Sequence, residues 1–275
     1  MNIDQLLDKV RTLPVISRVL QELLSSFGNP NMNSQALAQL ISRDPALCAH
    51  LLRLTNSARY QTSQAVSSVF QAVQLLGTTN VRSLVISVGL MSCFANFSTQ
   101  ILKPFWQHSL RTATLARHWA AQAQVDGELA HTLGLLKCVG QLVMRQGLPA
   151  EMLALDAQMT PFAMQRLATE HIALGFNYAE VGAQLARRWH FPVLFVQVMG
   201  TADFRLDNPQ AAKLADLIAL ASWQAWVSQE ELSPDQMAAL WPHDLAQRVG
   251  VSVELGGAQI ECWTELCDDE LELLI

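Results

Sequence analysis

The residues of this chain best equipped for chemistry lie between Trp106 and Met144. Trp106-Gln107-His108-Ser109-Leu110 comes first, and Gly134-Leu135-Leu136-Lys137-Cys138-Val139-Gly140 follows about one helical hairpin later. Imidazole and thiol groups ligate metals and move protons, so His108 and Cys138 are the natural candidates. Lys137 stands against a metal: an ammonium cannot ligate a cation at neutral pH, and one soft thiol does not replace the carboxylates of a hard-metal site. Ser109 beside His108 lacks the strand-turn-helix setting of an activated serine, and no glycine-rich phosphate loop follows a strand.

Other polar groups form no recognisable catalytic spacing. His50, His118, His131, His171 and His243 read as structural or exposed residues. Arg43, Arg53, Arg59 and Arg82 are the densest basic group of the N-terminal third, a candidate anion or acidic-partner surface to be weighed against ordinary solvated helix faces. Five cysteines, Cys48, Cys93, Cys138, Cys262 and Cys267, are odd in number and scattered through apolar helices, as reduced core thiols would be. Cys262 and Cys267 have no second Cys pair or His nearby, which argues against zinc.

The elements that must position these groups are helices. Apolar residues recur every three or four positions, and no alternating strand pattern is flanked by hairpin turns, so the chain should be all-α. Asp44-Pro45 supplies an N-cap followed by proline at the first helical position, Gly77 closes a helix begun at Ser67 or Ser68, and Thr79 can cap a long apolar helix over 80–96. Beyond these, helices are expected over 105–124, 128–146, 161–174, 178–190, 193–203 and 209–228. Ser109, Ala113, Ala116, Ala120 and Ala123 form a small-residue stripe that lets a neighbour, expected to be 128–146, approach closely.

The composition fits a well-packed protein: 51% of residues are hydrophobic and 15% charged. With 18 basic against 24 acidic residues the formal charge is −6, which disfavours a nucleic-acid partner. The acidic start, Met1 to Gln5, is unlike a secretory signal, so a cytoplasmic protein is expected. The uncharged run over 83–102 resembles a membrane span but is interrupted by polar residues, and a buried helix is expected there.

Several motifs occur in the order found in one family. Leu13-Pro14 is followed by Ile41-Ser42-Arg43-Asp44-Pro45-Ala46-Leu47, by Leu51 to Ala58, and by Val66-Ser67-Ser68-Val69 through Gly77. His108 and Gly134 to Gly140 come next, then Glu170, Gly175-Phe176, Ala179-Glu180-Val181-Gly182 and Trp189-His190-Phe191-Pro192. The chain resembles the HDOD domain, a bacterial relative of the HD phosphohydrolases, over roughly 6–225. By that resemblance His108 matches the first HD metal ligand, Asp216 the last, and Lys137-Cys138 the lost His-Asp pair. Asn177 and Met199 to Asp203 stand where related proteins carry further histidines. Two resolutions of the vacancy are open: an internal Lys137–Asp216 bridge, or a lysine stem that snorkels outward and leaves Asp216 solvated.

The resemblance implies an N-terminal helical lobe over 1–98, a degenerate HD-like bundle over 99–228, and a C-terminal extension over 229–275 that Trp241 and Trp263 should dock. It implies a non-catalytic signal-transduction protein without a metal or other cofactor. Such a protein would act as an adaptor for a small ligand or for a signalling protein in trans, such as a receiver or cyclic-di-GMP-turnover protein. The competing expectation is a metal-dependent phosphohydrolase acting on a nucleotide or cyclic dinucleotide. The working surface is expected on the N-terminal lobe or in the groove between it and the HD-like bundle, rather than in the vestigial metal pocket.

Overall fold

The computed structural model describes residues 1–10, 16–27, 29, 32–57, 66–200, 208–230, 236 and 239–251. Arg59, Asp203, Cys262, Trp263 and Cys267, named above, lie outside the described residues, as does the acidic end of the chain. The protein is all-α, with no strand among the described residues. Contacts divide the chain into two compact units. One holds the described residues of Met1–Leu13, Ser98–Arg188 and Val193 onward; the other holds those of Pro14–Phe97 and Trp189–Pro192.

The smaller unit contains α2 (Arg18–Ser25), α3 (Ser34–Ile41), α4 (Pro45–Thr55) and α5 (Val69–Cys93). Its helix starts follow local polar chemistry. Ser17, Asn33 and Ser68 each accept a backbone N–H of the first turn, and Asp44 accepts those of Ala46 and Leu47 ahead of Pro45. Gly77 breaks α5 at φ 82°, in the left-handed region open to glycine, so the span is two helices joined at the expected point. By length and composition α5 could cross a membrane, but 44% of its most apolar window is already buried in the fold, and the core of this unit explains its apolar face. Asn56 ties the end of α4 to the start of α5 by exchanging two hydrogen bonds with Val66, each 2.8 Å.

In the larger unit α1 (Ile3–Lys9) packs on α8 (Val139–Gly147) and α11 (Tyr178–Arg188). This differs from the expected 1–98 lobe, and the reason is local. A Cβ at Gly147 would stand 2.2 Å from Leu6 Cδ1, so the missing side chain is what admits α1. Lys9 Nζ donates to the Gly147 carbonyl at 2.9 Å, and Arg188 Nη1 donates to Asp8 at 2.8 Å. The rest of this unit comprises α6 (Thr99–Trp119), α7 (Gly127–Leu136), α9 (Pro149–Asp156), α10 (Arg166–Leu174), α12 (Val193–Met199), α13 (Pro209–Val227) and α14 (His243–Val249).

The single helix expected over 128–146 is broken at Lys137-Cys138 into α7 and α8. The break lets each half meet a different neighbour at backbone distance. Gly134 in α7 sits where a Cβ would be 2.8 Å from Ala113 Cα of α6, on the small-residue stripe. Gly140 in α8 sits where a Cβ would be 2.0 Å from the Tyr178 carbonyl oxygen and 2.7 Å from Gly182 N of α11. α13 packs along α6, and α14 packs on α13, with Trp241 meeting Trp223 edge to face at 5.1 Å. The described stretch from Trp241 to Val249 is therefore docked on α13.

Candidate functional site

His108 is fully buried in the middle of α6. Its Nε2 lies 3.1 Å from Ser222 Oγ of α13 and 3.5 Å from Thr112 Oγ1 one turn along its own helix. Phe162, from the loop between α9 and α10, stacks flat on the ring, with centroids 3.9 Å apart and planes 7° from parallel. Nδ1 is buried without a hydrogen-bond partner. Burial, reinforced by the Lys137 and Arg111 charges, holds the imidazole down at about 3, so it is neutral at pH 7.

Lys137 and Cys138 form the turn between α7 and α8. Lys137 is half-buried and makes no ion pair or hydrogen bond through its ammonium with any described residue. Desolvation pushes its pKa below the ordinary lysine value, opposed by Cys138. Cys138 is buried, and burial pushes its thiol up to about 11, opposed by Lys137 and the Tyr178 side chain. It is a neutral thiol at pH 7, and the nearby Glu170 carboxylate further opposes its ionisation.

Asp216 is elsewhere engaged. Arg248 of α14 grips it with two hydrogen bonds, Nε to Oδ2 at 2.7 Å and Nη2 to Oδ1 at 3.1 Å. The Lys137–Asp216 bridge is therefore not formed, and Asp216 is not left to solvent either. The extension supplies its cation, a partner invisible to any comparison confined to 6–225.

The four positions that match an HD site thus present a neutral imidazole stacked under Phe162, an ammonium, a protonated thiol and an arginine-bound carboxylate. These donors do not fit a divalent metal, which needs several deprotonated oxygen or nitrogen ligands converging on one point. Among the described residues no group of three or more His, Cys, Asp or Glu side chains converges in that way. Asn177, at the position where related proteins carry a histidine, is the N-terminal cap of α11: its Oδ1 accepts from Ala179 N at 3.0 Å and Glu180 N at 3.1 Å.

A buried ionic chain braces the loop that carries Phe162. Arg145 pairs with Asp156, Asp156 with Arg166 Nη2 at 2.9 Å, and Arg166 Nε with Glu170 Oε1 at 2.8 Å. Glu170 Oε2 accepts from Tyr178 N at 2.8 Å, and Arg166 Nη1 reaches the Met159 carbonyl at 3.2 Å. Gln141 Nε2 donates to the Pro161 carbonyl at 2.6 Å. Arg166 and Glu170 are fully buried, and burial raises the Glu170 pKa against the opposing pull of Arg166.

The smaller unit carries an open groove of about 590 Å³ between α3 and the start of α5. Gln35, Gln39 and Arg43 line one wall; Ser68, Val69 and Phe70 line the other. Phe70 is 43% exposed there. Among the described arginines of the expected group, Arg43 borders this groove, paired with Glu22 at 3.1 Å. Arg53 approaches His50 Nδ1 at 3.3 Å, and Arg82 lies over the Phe27 ring at 5.2 Å.

Comparison with known proteins gives the family directly. The HDOD domain matches residues 13–203, more than half of the sequence. The chain belongs to the HDOD family. A curated relative from Treponema pallidum, an uncharacterised protein, is 28% identical over 207 residues, which are 74% of this chain and 39% of the relative. The HDOD chain thus spans about two fifths of the length of the curated relative it matches.

Solved structures share the fold. An HDOD domain protein of unknown function from Geobacter sulfurreducens has a TM-score of 0.77 at 19% identity, covering 99% of this chain and 97% of that one. A provisionally named phosphohydrolase from Shewanella amazonensis has a TM-score of 0.71 at 28% identity, covering 98% and 96%. A provisionally named signal transduction protein from Marinobacter aquaeolei has a TM-score of 0.75 at 20% identity, covering 98% and 64%.

Against this HDOD frame, the resemblance led to His108, Lys137, Cys138 and Asp216 but missed the residues that now occupy them. Ser222, Phe162 and Arg248 come from distant segments and carry no local signal. Arg166 and Glu170 did carry one, an opposite-charge pair at i,i+4 among apolar neighbours, which marks a helical ion pair.

Proposed function

We propose that this HDOD protein is a non-catalytic regulatory protein that binds a signalling partner through the groove of its smaller unit. The observation that carries the reading is the exposed Phe70 ring on an open groove whose other wall carries Arg43. Aromatic and arginine side chains are enriched among the residues that carry most of the energy of protein interfaces. The partner it fits is a protein segment with an acidic group next to an apolar side chain. The chemistry around His108 supports the non-catalytic half: its thiol is protonated, its imidazole neutral and covered, and its carboxylate bound to Arg248.

The test is affinity capture from the native host, using wild type, Arg43→Glu, Phe70→Ser and Cys138→Ala as baits. A receiver or cyclic-di-GMP-turnover protein is the expected class of prey. The reading predicts one prey retained by wild type and Cys138→Ala and lost by both groove variants. Prey lost only with Cys138→Ala would move the working surface to the bundle.

The phosphohydrolase reading draws on the name of the Shewanella relative alone. Among the described residues no group of three or more His, Cys, Asp or Glu side chains converges to favour it, and it predicts phosphodiester hydrolysis that depends on manganese or iron.

A further inference from the structure

The chain is acidic overall, but its charges are unevenly placed. Residues 252–275 hold seven of the 24 Asp and Glu residues and no Lys or Arg, a formal charge of −7 against −6 for the whole chain. Residues 14–97, by contrast, hold Arg18, Arg43, Arg53, Arg59 and Arg82 against Glu22 and Asp44, a formal charge of +3. Within the acidic stretch, Asp268-Asp269-Glu270-Leu271-Glu272-Leu273-Leu274-Ile275 sets acids beside large apolar side chains, and Asp268 to Glu270 is the one run of three consecutive acids in the sequence. We infer that the segment Asp268–Ile275 is an internal ligand of the groove on the smaller unit. This rests on the reading of that groove as a docking surface and adds its regulation: the signalling partner enters when the segment leaves.

The groove offers what such a segment needs. Gln35, Gln39 and Arg43 recur at four-residue spacing along α3 and just past its end, so two amides and a guanidinium line a single wall. The Arg43 side chain is 65% exposed and spends Nη1 on Glu22. Glu22 is shared with Arg18, whose Nε stands 3.0 Å away, so one carboxylate serves two guanidinium groups. Asp44, the next acid, is turned to the backbone N–H groups of Ala46 and Leu47.

On the opposite wall the Phe70 ring stands exposed, and Leu75 follows on the same helix. These two are the exposed large apolar side chains among the described residues of the smaller unit. With the segment docked, its acids meet Arg43 and the glutamine amides while its leucines cover Phe70, so charge and apolar surface are matched together. Acidic runs of this kind are common interaction tails.

The tether suits docking on the same molecule. The described chain reaches Val251, two residues past α14, which packs on α13. From there to Asp268 the chain extends to at most about 56 Å, several times the radius of gyration of about 13 Å for a compact unit of about 100 residues. A tethered ligand faces its site at about millimolar effective concentration, so a weak contact is enough to fill it.

Fluorine NMR on the full chain tests this, with 4-fluorophenylalanine at position 70 as the reporter of the groove. Neutralising the segment by Asp268→Asn, Asp269→Asn, Glu270→Gln and Glu272→Gln together should move the signal. A synthetic peptide of residues 262–275 added to that variant should return it toward the wild-type position, and should fail to do so once Arg43→Glu is also present. An unmoved signal on neutralisation overturns the inference. So does a wild-type position that changes on dilution of the protein, the mark of a segment reaching in from a second copy.

Partner capture separates this result from the groove reading. If the segment fills the groove about nine-tenths of the time, the neutralised chain should bind the partner about tenfold more tightly than wild type. A moved fluorine signal with prey insensitive to Arg43→Glu and Phe70→Ser upholds the docked segment and sinks the groove reading for the partner. An unmoved signal with prey lost by both groove variants sinks the docked segment and upholds the groove reading.

Discussion

Arg248 of α14 holds Asp216 of α13 in a two-point grip, Nε on Oδ2 at 2.7 Å and Nη2 on Oδ1 at 3.1 Å. The carboxylate that would close a metal site in a related phosphohydrolase is thereby turned into an anchor for the C-terminal extension. Because Arg248 is 57% and Asp216 29% exposed, solvent screens the pair, and its worth is at most about 1 kcal/mol. Arg248→Met should shift the denaturant midpoint only slightly while making the segment after 243 more susceptible to limited proteolysis. A large loss of global stability would contradict this assignment.

The ionic chain of Arg145, Asp156, Arg166 and Glu170 should behave differently, since Arg166 and Glu170 are fully buried. Removing one partner leaves the other charge without compensation. Arg166→Met is expected to cost about 3–5 kcal/mol in chemical denaturation, and Arg166→Met with Glu170→Gln less than the sum of the two single changes.

Much of this architecture is legible in the sequence, for reasons that are local. Asp44-Pro45 and Asn33 announce helix starts because their side chains cap backbone N–H groups a few residues away, and Gly77 announces a break because its φ of 82° is open to glycine. Gly134 and Gly140 are legible in a different way: they bracket Lys137-Cys138 and remain necessary to the packing whether or not the residues between them can ligate a metal. What is not legible is the partner chosen over distance. Nothing near position 162 marks a phenylalanine as the cover of His108, and nothing near 248 marks an arginine as the partner of Asp216. The break at Lys137 was hidden as well, because the apolar period runs through it unchanged.

The glycine reading makes its own prediction. Gly140→Ala would place a Cβ 2.0 Å from the Tyr178 carbonyl oxygen, a backbone atom that cannot rotate away. The change should cost about 3 kcal/mol or more by overpacking, whereas Gly182→Ala, whose nearest contact would be the flexible end of Met199 at 3.4 Å, should cost far less. Equal effects in thermal denaturation would overturn this account of α8 on α11.

Two buried histidines set a dependence on pH. His108 and His131 are both held at about 3 by burial, against an ordinary value of 6.5. Between those limits the unfolded chain binds their protons and the folded chain does not, so stability is full above about pH 6.5 and falls as pH drops toward 3. Each contributes a loss of up to about 1.4 kcal/mol per pH unit in that window. His131→Gln should therefore lose stability less steeply than wild type between about pH 6 and pH 4, measured by urea midpoints at each pH.

Equilibrium dialysis against manganese and iron(II), followed by elemental analysis, bears most directly on the claim that the HD positions of this chain are not a metal centre. Wild type should retain no stoichiometric metal and hydrolyse neither phosphodiesters nor phosphomonoesters in the presence of either ion. A full equivalent of metal on the wild-type chain that is lost on His108→Ala would contradict the account.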